Sequence, residues 1–308
     1  MKITFDDASI DYLKYLNHKL NINTFDINSR KFKKYILSYF SKNNIFDLSC
    51  KDYIHWQYYI DSYNFSYNYK SSLHYIFSDF LNFCTIFYDL SDNVAKKVGN
   101  FKNNNIVDNG SIWSLNDFSH FIEVVDDLLY KAIFELLFFT GVRKSEALAL
   151  TWNDIDFNNC FIVINKQTTR FSNNGRTILI SPKTSSSNRR ISINDNLVNT
   201  LNDLYNYYSE HFVKFDNSWF VFGGINPISH TQLKRKKDFY CDIAEVKKIK
   251  LHEFRHSHAC LLFKNGVPIE DVSRRLGHSS LSMTMDTYLR FLPSNEKRVV
   301  DTLNSLKT

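Results

Sequence analysis

Four short stretches of the chain gather the side chains that handle phosphate groups: arginine, lysine, histidine and tyrosine. TGVRKSEALAL (Thr140–Leu150) places Arg143 two residues beyond Gly141, at the end of an almost wholly apolar run. PKTSSSNRRISI (Pro182–Ile193) carries Lys183 where a strand is expected to enter a β-turn. LHEFRHSHA (Leu251–Ala259) spaces His252 and Arg255 three apart, hence on one helix face. RRLGHSSLSMTMDTYLRF (Arg274–Phe291) sets His278 after a glycine and Tyr288 ten residues later. Each stretch alone also has a plain structural explanation. Glu146 could hold Arg143 in a salt-bridged helix start, Lys183 could be a turn lysine, His278 could cap a helix, and Tyr288 is one of 18 tyrosines.

Positive charge is concentrated near these stretches. Lys plus Arg number 38 against 32 Asp plus Glu, a net +6. Between Lys166 and Ile193 stand Lys166, Arg170, Arg176, Lys183, Arg189 and Arg190, with no acidic residue among them. A second cluster, Lys234, Arg235, Lys236 and Lys237, falls on a predicted helix. A basic run can be no more than a solvated face, but an acid-free hairpin is suited to neutralising phosphates, so both clusters are expected to bind DNA.

These residues need elements to position them. The 308 residues suffice for two domains, and 44% hydrophobic with 23% charged residues indicates a globular chain. Helical spacing is expected over about 8–20, 26–41, 48–62 and 68–87, although the abundance of Tyr and Phe is strand-like. GNFKNNNIVDNG (Gly99–Gly110) reads as a linker. A helix then begins after Ser114, and LLYKAIFELLFFT (Leu128–Thr140) predicts a buried helix stopped by Gly141. After a short helix over Lys144–Leu150, strands are expected at Cys160–Asn165, Arg176–Ser181 and Arg190–Ile193, forming a small antiparallel sheet. Helices follow near 194–208, 229–245, 251–264, 268–276, 282–291 and 294–306. The five cysteines show no metal-ligand spacing, no signal-peptide pattern opens the chain and no apolar run is long enough for a membrane span, so a cytoplasmic protein with reduced thiols is expected.

Taken in order, Arg143, Lys183, His252, Arg255, His278 and Tyr288 resemble the motif set of the tyrosine recombinase, or phage integrase, family. The resemblance covers roughly residues 112–295, and NVAKKVGNFK (Asn93–Lys102) is similar to the end of that family's core-binding domain. It implies a mainly α fold with a small antiparallel β-sheet: a helical core-binding (SAM-like) domain over 1–100, a linker over 101–111, and a catalytic domain over 112–308 ending in an exchange helix. It implies that Tyr288 attacks phosphorus to give a 3′-phosphotyrosyl link, that Arg143 and Arg255 grip non-bridging oxygens, and that Lys183 protonates the leaving 5′ oxygen. His252 and His278 would assist proton transfer, and Glu146 would orient Arg143. His256 and His258 read as structural. No metal, cofactor or ATP is implied, and the expected partners are a double-stranded DNA site and further copies of the chain, a tetramer in the working complex. TWNDIDF (Thr151–Phe157) and PKTSSSNRRI are closer to integrases of integrative elements than to the Xer group. A complete arm-site-binding domain is not expected in the segment before Ser114, which implies either a recombinase of simple sites or a shortened relative. An Xer-like resolvase or invertase, relaxation of single duplexes by a type IB topoisomerase-like enzyme, and DNA binding without turnover are the competing readings.

Overall fold

The computed structural model describes residues 2–103, 111–173, 176–180, 188–278, 280–288, 300 and 303–305. The chain divides into two compact units, Met1–Asp108 and Asn109–Thr308. No helix among the described residues is long and apolar enough to cross a membrane.

The first unit is helical: α1 (Phe5–Lys19), α2 (Ile22–Phe32), α3 (Ser38–Phe40), α4 (Cys50–Asp61), α5 (Tyr67–Phe87) and α6 (Val94–Val98). Its helix starts are set by side chains that accept orphan backbone N–H groups. Thr4 with Asp7, and Ser49 with Asp52, form reciprocal capping boxes, so α1 opens three residues earlier than the spacing alone indicates. A π-helical turn over Lys33–Leu37 joins α2 to α3. The aromatic residues that suggested strands instead fill the helical core. Phe5, Tyr12, Phe32, Phe40, Tyr53, Trp56, Phe77 and Phe80 are all buried. The Phe5 ring lies 5.0 Å from Phe40, and Phe32 lies 5.0 Å from Phe80. Their polar edges are satisfied, as burial requires: the Tyr12 hydroxyl donates to Asp79 at 3.0 Å and the Trp56 indole to the Tyr35 carbonyl at 2.8 Å. Phe101 also belongs to this core, 6.0 Å from Trp56, so the unit runs beyond residue 100 and takes in the start of the expected linker. Residues 104–110 of that linker lie outside the described residues.

The second unit holds α7 (Leu115–Glu123), α8 (Leu128–Thr140), α9 (Lys144–Ala147), β1 (Ile155–Asp156), β2 (Phe161–Ile164), β3 (Gln167–Asn173), β4 (Arg176–Ile180), β5 (Arg189–Ser192), α10 (Asp195–His211), α11 (His230–Ile243), α12 (Glu253–Lys264), α13 (Ile269–Leu276) and α14 (Leu281–Tyr288). Helix α8 is the axis of its core. Tyr130, Ala132, Ile133, Phe134, Leu136, Leu137 and Phe138 are buried, and Phe118 of α7 stacks on Phe138 at 3.9 Å. Strands β1, β2 and β5 form one antiparallel sheet in that order, with Ile162 opposite Ile191, both buried. The expected strand at Arg176 does not join it; β4 pairs instead with β3 in a separate hairpin. β3 went unanticipated because QTTRFSN is polar except at Phe171 and shows no apolar alternation. The expected exchange helix over 294–306 lies outside the described residues except at 300 and 303–305.

Candidate active site

The site begins where α8 stops. Gly141 takes the left-handed conformation (φ +65°) that ends the helix, and Val142 then leads into Arg143, the N-cap of α9. A Cβ at Gly141 would meet His258 and Leu276 side-chain carbons at 2.7 Å, so glycine is required both by the turn and by the close approach of α12 and α13. Gly277 ends α13 in the same way (φ +70°).

Arg255 links these two helix ends. It is 2% exposed on α12, and its Nη1 and Nη2 each donate at 2.8 Å, to the carbonyls of Gly141 and Leu276. Those carbonyls carry the negative end of a helix dipole, which suits a guanidinium. His252, the N-cap of α12, has its pKa held below the usual histidine value by burial first and then by Arg255 and Arg143. His278 follows Gly277, shares a 2.7 Å hydrogen bond with Thr284 of α14 through Nδ1, and is pulled down to about 3 by burial and then by Arg255, Arg143 and Arg189. Both imidazoles are therefore neutral at pH 7 and sit among cations.

Glu146 collects the remaining arginines. Its Oε1 accepts from Arg143 Nη1 at 2.9 Å and Arg189 Nη1 at 3.4 Å; its Oε2 accepts from the Arg143 backbone N–H and Arg189 Nη2, both at 2.9 Å. Burial alone would raise the carboxyl pKa, but Arg189 and then Arg143 outweigh it and the pKa is lowered. The Arg143 side chain stays one-third exposed, at 33%, whereas Glu146 is at 3% and Arg189 at 7%.

The other expected residues divide sharply. Lys183 lies outside the described residues, and the side chains of Arg170, Arg176 and Tyr288 also do; Tyr288 is the last residue of α14. Arg190 is exposed and lies over the Phe161 ring at 4.9 Å. Lys234 and Arg235 are exposed, Lys234 pairing with Asp238 at 2.9 Å, while Lys236 lies over the Tyr130 ring at 5.2 Å.

Three residues expected at a DNA-facing surface are turned inward. Lys237 is 2% exposed, paired with Asp238 at 2.7 Å and bonded to the Ile249 carbonyl. Its neighbours in register, Leu233, Tyr240 and Cys241, are buried too, so Lys237 falls on the apolar stripe of α11. Lys166 pairs with Asp154 at 2.7 Å and Thr151 at 3.0 Å. Arg189 shares a strand face with buried Ile191, two residues on, and bonds Glu146 and the Arg275 carbonyl. Sequence reasoning also passed over Arg275, which donates from Nε to His258 Nε2 at 3.1 Å and from Nη2 to the Phe139 carbonyl at 3.0 Å. His258 in turn bonds the Phe138 carbonyl at 2.9 Å through Nδ1, which assigns the Nδ1–H tautomer.

Comparison with known proteins bears on the family and the fold. Among curated relatives, the ICEBs1 integrase of Bacillus subtilis (strain 168) is 33% identical over 201 residues, 63% of this chain and 54% of that protein. A tyrosine recombinase XerC-like protein of Caldanaerobacter subterraneus subsp. tengcongensis is 34% identical over 192 residues, 57% of this chain and 49% of that protein. The chain thus spans about half the length of the curated relatives it matches. The fold is shared with the Tn1549 transposon integrase in complex with a circular intermediate DNA, at a TM-score of 0.76 and 19% identity, covering 99% of this chain and 100% of that one. It is shared too with a lambda integrase tetramer bound to a Holliday junction, at 0.70 and 15%, covering 96% of this chain and 80% of that one. The model of the phage integrase family matches residues 112–294, more than half the chain and all of the site built above, and the chain belongs to that family.

Proposed function

We propose that the chain is a site-specific DNA recombinase of a mobile element, cutting and rejoining strands through a 3′-phosphotyrosyl intermediate on Tyr288. The observation that carries this is the convergence of Arg143, Arg255, His252 and His278 in the second unit, where each imidazole is depressed by both arginines. Such a cluster is built for a dianionic pentacoordinate phosphorus: guanidinium forks stabilise the equatorial oxygens, neutral imidazoles hydrogen-bond them, and the negative charge that develops would favour protonation of those imidazoles. The neighbouring cations would also favour the Tyr288 phenolate over the phenol. Attack by that oxygen forms the O–P bond and breaks the bond to the 5′ oxygen, which takes a proton, in this reading from Lys183. The phosphotyrosyl ester keeps the energy of the broken diester, so rejoining needs no ATP, and the cations do the charge stabilisation that a metal ion would otherwise supply. Arg190, Lys234 and Arg235, exposed on β5 and α11, are the candidates for backbone phosphate contacts. Both units would contact DNA, and several copies would assemble on it, as a lambda integrase tetramer does on a Holliday junction.

The test is a search for covalent protein–DNA adducts in cells carrying the native locus, lysed in SDS without crosslinker, with the attached DNA ends sequenced. Adducts that disappear in Tyr288→Phe are expected. Well-expressed, DNA-binding protein that gives none would instead mark a DNA-binding protein without turnover.

A further inference from the structure

Arg189 was expected to contact DNA, yet its guanidinium is already committed. Nη1 and Nη2 form a fork on Glu146, Nε donates to the Arg275 carbonyl, and 7% of the side chain is exposed. Arg275 is itself fixed by the Phe139 carbonyl and by His258, which is fixed by the Phe138 carbonyl. A continuous chain of hydrogen bonds therefore runs from the last turn of α8 to Glu146, and Arg143 hangs on the same carboxylate from the other side. With only Arg143 beside it, a buried carboxylate would form a neutral pair, and the arginine's field beyond the pair would be largely cancelled. Two arginines on one carboxylate leave a net positive charge, and Arg143 is the more exposed of the two.

We propose that Arg189 is a positioning residue for the phosphate site: by taking up the negative charge of Glu146, it leaves the charge of Arg143 available to the scissile phosphate and fixes the angle of its guanidinium. The proposal rests on the recombinase reading for its substrate, but not for the link between Arg189 and Glu146. The charged groups facing this centre are Arg143 from α9, Arg275 from α13, and Arg255 with His252 from α12; His278 lies within the same field. Arg143 meets Glu146 through its backbone N–H and one guanidinium nitrogen, and among the described residues Arg189 alone sets a guanidinium fork on both carboxylate oxygens, so none of the others is placed to substitute for it.

The test uses the full chain as Arg189→Met, Glu146→Gln, the double variant and Arg189→Lys. Adduct formation is timed on duplex DNA carrying the native locus, between about pH 5 and pH 8. Arg189→Met is expected to slow adduct formation about 10- to 100-fold with DNA binding little changed, and to recover partly as acid protonates Glu146. Adding Glu146→Gln should restore the rate to that of Glu146→Gln alone, because the charge to be neutralised has gone. A merely structural arginine would make the double variant as slow as Arg189→Met or slower, and that result overturns the proposal. Arg189→Lys, which keeps the charge but not the fork, should fall between wild type and Arg189→Met, and it serves where the methionine variant does not fold. In parallel, the Glu146 carboxyl carbon is followed by NMR: ionised throughout in the native chain, titrating within the range in Arg189→Met. A carboxyl whose titration does not move between the native chain and that variant overturns the proposal. If the native chain forms no adduct, the recombinase reading fails, and the carboxyl titration still decides whether Arg189 governs Glu146.

Discussion

Replacing Arg255 should unlock the second unit as well as the phosphate site. Arg255→Met keeps most of the side-chain volume but removes both donors to the Gly141 and Leu276 carbonyls. A buried carbonyl left without its donor costs about 1–3 kcal/mol, so two cost roughly 2–6 kcal/mol. Methionine avoids burying a cation, which returns part of that and leaves a net loss of about 2–4 kcal/mol. For a unit of this size that corresponds to a Tm lower by roughly 5–15 °C. Arg143→Met is the control. Its side chain is one-third exposed and Glu146 keeps the Arg189 fork, so a loss within about 1 kcal/mol is expected although the same kind of charge is removed. Urea unfolding followed by tryptophan fluorescence reads the difference, since Trp113, Trp152 and Trp219 all belong to the second unit. Equal stability losses in the two variants, or an Arg255→Met chain within about 0.5 kcal/mol of wild type, would refute the assignment of Arg255 as the tie between α8 and α13.

Three further outcomes are expected. Gly141→Ala should lose about 2–3 kcal/mol in the same unfolding assay, because alanine disfavours φ +65° and its Cβ would lie 2.7 Å from His258 and Leu276. His258, held near a pKa of about 3 by burial and then Arg275, stays neutral in the fold while the unfolded chain protonates it. Its contribution is fully present above about pH 6.5 and is lost as pH falls toward about 3, by up to about 1.4 kcal/mol per pH unit, so His258→Gln should flatten the acid limb of the stability–pH curve. Lys237→Met should cost about 1–3 kcal/mol by orphaning the Ile249 carbonyl, yet leave the salt dependence of DNA binding unchanged; Arg235→Gln should lower the magnitude of that slope by about one while leaving stability alone.

Much of this site was written plainly in the sequence, and the reasons are local. The apolar run before Gly141 could only be a buried helix with a glycine stop, so Arg143 had to emerge at a core-defined point. HxxR fixed His252 and Arg255 on one turn of α12 without any knowledge of what they touch. What could not be read was which way the basic residues face. Four consecutive cations on α11 sweep about 100° apiece, so one of them must turn inward, and the buried pattern of Leu233, Tyr240 and Cys241 identifies it as Lys237. Arg189 and Arg190 are adjacent in β5 and so point to opposite faces; alternation with Ile191 gives Arg189 the inner one. The carboxylate that Arg189 meets lies 43 positions earlier, a distance that no local pattern reports. In the first unit the aromatic content suggested strands, because propensity is a weaker guide than the packing it eventually serves.

The bonds that close the site are long-range: Arg255 to Gly141 spans 114 residues, His258 to Phe138 spans 120, and Arg275 to Phe139 spans 136. Synthesis at about 5–20 residues per second separates these partners by several seconds on the ribosome. Until Leu276 has emerged, Arg255 lacks one of its two carbonyl anchors and α8 has no α13 against its glycine. A nascent or truncated chain ending short of that point lacks the Leu276 side of the arginine cluster. Strand cleavage under the proposed function thereby requires a chain synthesised beyond Leu276, a consequence of chain order alone.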